Sequence, residues 1–173
     1  MSAELTALQA RAVAILAAAP YFADIAVAEL TDGSLESRLQ QSLFARGLKT
    51  SDETKPVKLG LCCVVGVHAA SISTSKRLRI EPLLRVAVLE NPLLNRAAGG
   101  ANKHILDVCV EVFRALHEQP ARSGVGFQEA THRFLAVEGN ALEIIGQDAR
   151  RALYGVEGGN AMHCHFTVGG IPL

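Results

Sequence analysis

Two alternating stretches lie close enough along this chain to pair, and they dictate a sheet. From Val57 to Val67, the side chains of Val57, Leu59, Leu61, Cys63, Val65 and Val67 share one face. The other face holds Lys58, Gly60, Cys62, Val64 and Gly66, small and mixed, suited to lie under a neighbour or line a passage. Arg79 to Glu90 is the second strand, and Pro82 near its start suits a sheet edge or a late ladder start. A polar stretch of about ten residues, with Ser71 to Lys76 as a loop, separates them and predicts a long antiparallel hairpin. Such a tip is longer than a turn requires, and long loops often carry contacts.

The helices are marked by their own period. Leu5, Leu8, Ala12, Ile15 and Leu16 recur at helical spacing between a capping Ser2 and a terminating Pro20. Ile25 to Leu30 suits a short strand. Asp32-Gly33 is a turn, after which Ser34 can cap a helix carrying Leu35, Leu39 and Leu43, with Gly47 as its stop. Residues 49 to 56 are a polar loop. Ile105, Val108, Cys109, Val112, Phe113 and Leu116 form an unbroken apolar stripe before Pro120. Residues 130 to 138 alternate again and Leu142 to Ile145 resumes the pattern after Gly139-Asn140. Residues 146 to 160 mix glycine with charge and show no period. Ala161 to Val168 is a last strand with Met162, Cys164, Phe166 and Val168 on one face. The expected fold is a single α+β domain over 1–173, a mainly antiparallel four-stranded sheet with helices packed on one face.

Charge and composition narrow the function. Seventeen basic residues balance seventeen acidic ones, which argues against nucleic-acid recognition and leaves little repulsion between copies. No Trp, two Tyr and six Phe give no aromatic platform for bases or sugars. Cys62, Cys63, Cys109 and Cys164 lie in apolar runs without a CxxC pair and are expected reduced, as in a cytoplasmic protein. Ala12 to Ala19 is too short for a bilayer span, and the start lacks the basic cluster of a signal peptide, so no membrane association is expected.

Several constellations suggest chemistry, and each has a plainer explanation. His163 and His165 flank Cys164 and share a strand face, but a metal site usually needs three or four ligands. They are expected on the solvated side of an edge strand. The remaining histidines, at 68, 104, 117 and 132, have no spacing that predicts convergence. His104, Asp107, Glu111, Arg114 and Glu118 lie opposite the apolar stripe, where an amphipathic helix is solvated. Ser73 to Lys76 matches SxxK but has no partner motif. Gly99-Gly100-Ala101 reads as a flexible helix entry rather than a phosphate loop. No catalytic, cofactor-binding or metal-binding residue is assigned, and the chain is not expected to be an enzyme. The densest polar cluster is Glu90, Asn91, Asn95 and Arg96, which serves either the turn started by Asn91-Pro92 or a contact with another copy.

The segment Val86-Ala87-Val88-Leu89-Glu90-Asn91-Pro92-Leu93-Leu94-Asn95-Arg96, followed by a Gly-rich entry to an amphipathic helix, resembles the tail-terminator and head–tail joining proteins of tailed phages and prophages. The order of elements agrees over residues 5 to 168, and the local match runs from Leu84 to Leu116. The family has a Gly-Thr-like helix entry where this chain has Gly99-Gly100-Ala101.

The resemblance implies a structural ring subunit, commonly hexameric, that caps a tail tube. Its partners would be further copies, the tube protein and a head-completion protein. It would be found in the host cytoplasm and then in the virion tail. It brings no catalytic residue and no cofactor. The expected ring contacts are the hairpin tip at 70 to 78, with Ser73, Ser75, Lys76 and Arg77, the turn with Glu90, Asn91, Asn95 and Arg96, and exposed strand edges. The alternatives are a small metal-dependent enzyme using His163 and His165, perhaps with His132, or a bacterial adaptor domain.

Overall fold

The computed structural model describes residues 3–33, 35–39, 42–43, 60–73, 79–121, 133–169 and 171–172. Leu61–Ser73 (β2) and Arg79–Glu90 (β3) pair antiparallel from Leu61 opposite Glu90 to Ser73 opposite Arg79. The hairpin is the one the alternation predicts. It extends further than expected, because backbone pairing continues through 71 to 73, where a polar loop was predicted. Residues 57–59 and 74–78, with Ser75, Lys76 and Arg77, lie outside the described residues.

The register slips between Val67 and Ala69, and a bulge of this kind bends and twists a strand. Gln9, buried in the helix Ala3–Ala18 (α1), braces this point. Its Oε1 accepts from Val67 N at 2.9 Å and its Nε2 donates to Thr31 at 3.0 Å.

The sheet is wider than the four strands expected. Ala26–Glu29 (β1) lies parallel to β2, from Ala26 opposite Cys62 to Glu29 opposite Val65. Asn160–Val168 (β6) lies antiparallel to β3. Phe134–Ala136 (β4) and Leu142–Ile144 (β5) pair with successive halves of β6. Ile171–Pro172 (β7) pairs with the start of β3. The order β1-β2-β3-β6-β4 makes β6 an inner strand, where an edge strand was expected. The α+β class and the mainly antiparallel sheet are as the sequence predicts.

Both faces of the sheet are covered. On one, α1 and Ile105–Leu116 (α4) bury Leu61, Cys63, Val65, Val86, Cys164 and Phe166. Ile105, Val108, Cys109, Val112 and Leu116 of the predicted stripe are all buried there. On the other, Cys62, Val64, Ala87, Leu89 and Ala161 form a second core with Leu39, Leu43, Tyr154 and Val156. Leu39 ends the helix Leu35–Leu39 (α2), and Tyr154 ends Gln147–Tyr154 (α5), which lies in the segment without a readable period. This second layer explains the small, mixed face of β2: Gly66 lies against Leu30, and a Cβ there would come within 2.9 Å of it. All four cysteines are buried thiols, none of them in a disulfide. No described helix is long and apolar enough to cross a membrane.

Candidate functional site

The turn after β3 is held from inside. Asn91 caps the short helix Pro92–Asn95 (α3), its Oδ1 accepting from Leu93 N at 3.1 Å and Leu94 N at 3.4 Å. Its Nδ2 donates to Leu43 O at 2.6 Å. Glu90 and Asn95 are buried, 5% and 2% exposed. Asn95 Nδ2 donates to Glu90 Oε1 at 2.7 Å and to Lys103 O at 2.7 Å, while Asn160 Nδ2 donates to Glu90 Oε2 at 2.8 Å. Both carboxylate oxygens are therefore satisfied by amides, which is the condition for burying such a group.

The backbone closes tightly around this turn. A Cβ on Gly60 would sit 2.2 Å from Asn95 N, one on Gly100 2.1 Å from Leu94 O, and one on Gly159 2.1 Å from Glu90 O. Before α4, Gly100 thus permits close approach, whereas Gly99 supplies a φ of +86° with open space around it. Lys103 fixes the same entry by donating to Tyr21 O at 2.6 Å, pairing with Asp24, and lying 4.3 Å from the centre of the Tyr21 ring.

The predicted polar cluster therefore divides. Glu90 and Asn95 turn inward, Asn91 caps, and Arg96 faces solvent beside Leu93, which is 84% exposed. The contacts of Glu90 are to Asn95 and Asn160. Ser73 lies at the end of β2.

At the far sheet edge the outer side of β4 is bonded by the turn after α4, with Phe134 N donating to Gln119 O at 3.0 Å, Glu118 N to Phe134 O at 2.7 Å and Ala136 N to His117 Nδ1 at 3.1 Å, and the apolar side chains lie beyond it. Leu135 on β4 and Leu142 on β5 are each 37% exposed, and Ile144 on β5 is 80% exposed. Among the described residues no strand pairs with the outer side of β4 or β5, and none with the outer side of β1 at the opposite edge.

The expectation that His163 and His165 are solvated is overturned. They are 2% and 8% exposed, because β6 is an inner strand and its second face lies beneath Tyr154. Register places Arg85 opposite His165, and Ala87 and Glu143 either side of His163. Glu143 Oε2 lies 3.2 Å from His165 Nε2 and 3.9 Å from His163 Nδ1. Tyr154 Oη is 2.9 Å from His163 Nε2, and His68 Nδ1 is 2.8 Å from an Arg85 guanidinium nitrogen. His68 and His165 rings are 6.1 Å apart, a convergence that spacing alone did not reveal.

Burial, reinforced by the Arg85 charge, pushes His163 down to about 3 and also lowers His68, so both imidazoles are neutral near pH 7. Burial raises Tyr154. Sequence reasoning singled out the two β6 histidines but missed Arg85, Glu143, Tyr154 and His68. Arg85 was legible only as a charge inside an apolar strand.

The polar stripe on α4 is solvated as expected, with His104 capping by accepting from Leu106 N at 3.2 Å. His132 and Lys76 lie outside the described residues. Searches against protein-family models, curated proteins and solved structures found no match to this chain.

Proposed function

We propose that this protein is a structural ring subunit of the phage tail-terminator kind, capping a tail tube and joining it to the head. The observation that carries the reading is the pair of open edges on one sheet: β1 on one side and β5 on the other. Two different surfaces on opposite sides are what a head-to-tail ring uses, each subunit offering one edge to one neighbour and the second to the next. An exposed strand edge is an aggregation hazard unless something covers it, and a ring neighbour does so in a controlled way.

Chemistry on that edge agrees. Burying the Ile144 side chain against a neighbour gains about 2 kcal/mol, and Leu142, on the same face of β5, extends the apolar strip. The turn offers a second apolar point, Leu93, on a backbone fixed by the Glu90–Asn95 bond and three close-packed glycines. A rigid platform loses little conformational entropy when a partner docks. The hairpin supplies a third surface. β1 covers β2 only from Cys62 to Val65, so the Ala69 to Ser73 backbone, paired with β3, continues beyond it. Equal numbers of acidic and basic residues allow copies to approach without net repulsion.

The test is the mass of the full chain in solution across a concentration series, wild type against Ile144→Glu. A discrete ring in the wild type and its loss in the variant, with unfolding unchanged, support the reading. A wild-type monomer throughout, indistinguishable from the variant, counts against it.

A further inference from the structure

We infer that His163, His165 and Glu143 form a binding site for a divalent transition metal of the Zn²⁺ type, bridging edge strand β5 to inner strand β6. These three are the described residues whose ligand atoms converge, all within 4.8 Å of one another. Two ligands about 2.05 Å from one zinc at a tetrahedral angle stand about 3.4 Å apart. The two carboxylate–imidazole pairs here are 3.2 Å and 3.9 Å and all three ligand atoms lie within 4.8 Å, so small adjustments of the Glu143 carboxylate and the two imidazole rings complete the set.

The surroundings have the form that supports metal-bound imidazoles. A ligating histidine normally engages its other ring nitrogen with a neighbour, which fixes tautomer and ring orientation. Tyr154 does this for His163. With the proton on Nε2 and donated to the Tyr154 oxygen, Nδ1 carries its lone pair on the Glu143 side. His165 presents Nε2 to Glu143, while its Nδ1 is buried and has no hydrogen-bond partner. Two nitrogens and one carboxylate suit zinc, and leave a fourth position for water on the solvent side of Glu143.

The opposing group is Arg85, on the same face opposite His165, its guanidinium held by His68 Nδ1. Its charge weakens metal binding and also explains why the pocket needs a carboxylate on its open side. Asn160 and Glu90 lie further along β6 and β3 and are engaged with each other.

The experiment is a titration of chelator-stripped full-length protein with Co²⁺, followed by the visible ligand-field band, and with Zn²⁺ by competition. One ion per chain is expected. Glu143→Ala changes an exposed side chain and leaves the core intact. It is expected to weaken binding at least about 100-fold, since even loss of an outer-shell partner costs 10–100-fold. His165→Ala is expected to abolish the band. Tyr154→Phe, a positioning change, is expected to weaken binding about 10-fold. His104→Ala, at the start of α4 on the other face of the sheet, is the control. No saturable binding in the wild type, or affinity unchanged in Glu143→Ala and His165→Ala, overturns the assignment.

Discussion

Asn95 donates its side-chain amide to Glu90 Oε1 at 2.7 Å, and both residues are buried although they stand only five apart at the end of a strand. This bond converts a polar turn into a rigid corner. Asn95→Ala leaves Glu90 buried with one oxygen unpaired. It is expected to cost about 2 kcal/mol, the range for an unsatisfied buried polar group. Asn95→Asp is expected to cost more, by setting a second carboxylate against the first. Denaturant unfolding measures both, and a loss below about 0.5 kcal/mol for Asn95→Ala would contradict this role.

The glycines make a graded prediction. Gly60 has φ +90° and meets Asn95 backbone, whereas a Cβ on Gly33 meets nothing within 4 Å. Gly60→Ala is expected to lose about 2 kcal/mol or more from combined strain and clash. Gly33→Ala is expected to be neutral or slightly stabilising. Equal effects at the two sites would show that the corner gives more easily than its packing implies.

Stability should fall in acid through His163. Its folded pKa of about 3 lies below the ordinary 6.5, so the unfolded chain takes up a proton that the folded chain refuses. The contribution is complete above pH 6.5 and is lost progressively from there down to about pH 3. Each group of this kind adds a slope approaching about 1.4 kcal/mol per pH unit. Chelator-treated His163→Gln should therefore show a shallower decline than the wild type between those limits. Parallel curves would mean that the imidazole is not held neutral.

The edge strand should matter for association and not for folding. Ile144 is 80% exposed, so Ile144→Glu removes little from the core and should shift the midpoint of unfolding hardly at all. A charge placed against a neighbour's apolar strip should nevertheless dissociate the assembly, a difference read by comparing unfolding curves with sedimentation.

How legible these features were depends on what each element faces. The hairpin and α4 show in the sequence because each presents one buried face, so hydrophobicity repeats with the period of the backbone. β6 is buried on both faces, and its second face carries His163 and His165, which read as polar and hence as exposed. Only the covering of that face by Tyr154 from α5 reverses the inference, and α5 sits among glycines and charges with just Arg150 and Tyr154 buried. Glu90 and Asn95 misled for a related reason. Their clustering with Asn91 and Arg96 was plain, but which of the four turn inward is decided by the corner's geometry. The parallel pairing of β1 with β2 joins elements more than thirty residues apart and leaves no local signal.

The most direct test of the ring reading is the mass of the wild-type chain by light scattering, over a concentration series at moderate salt. The account expects a discrete closed species of about six subunits, the common size of the rings it resembles, with a sharp upper limit. A monomer at every concentration, or open-ended growth without closure, would contradict it.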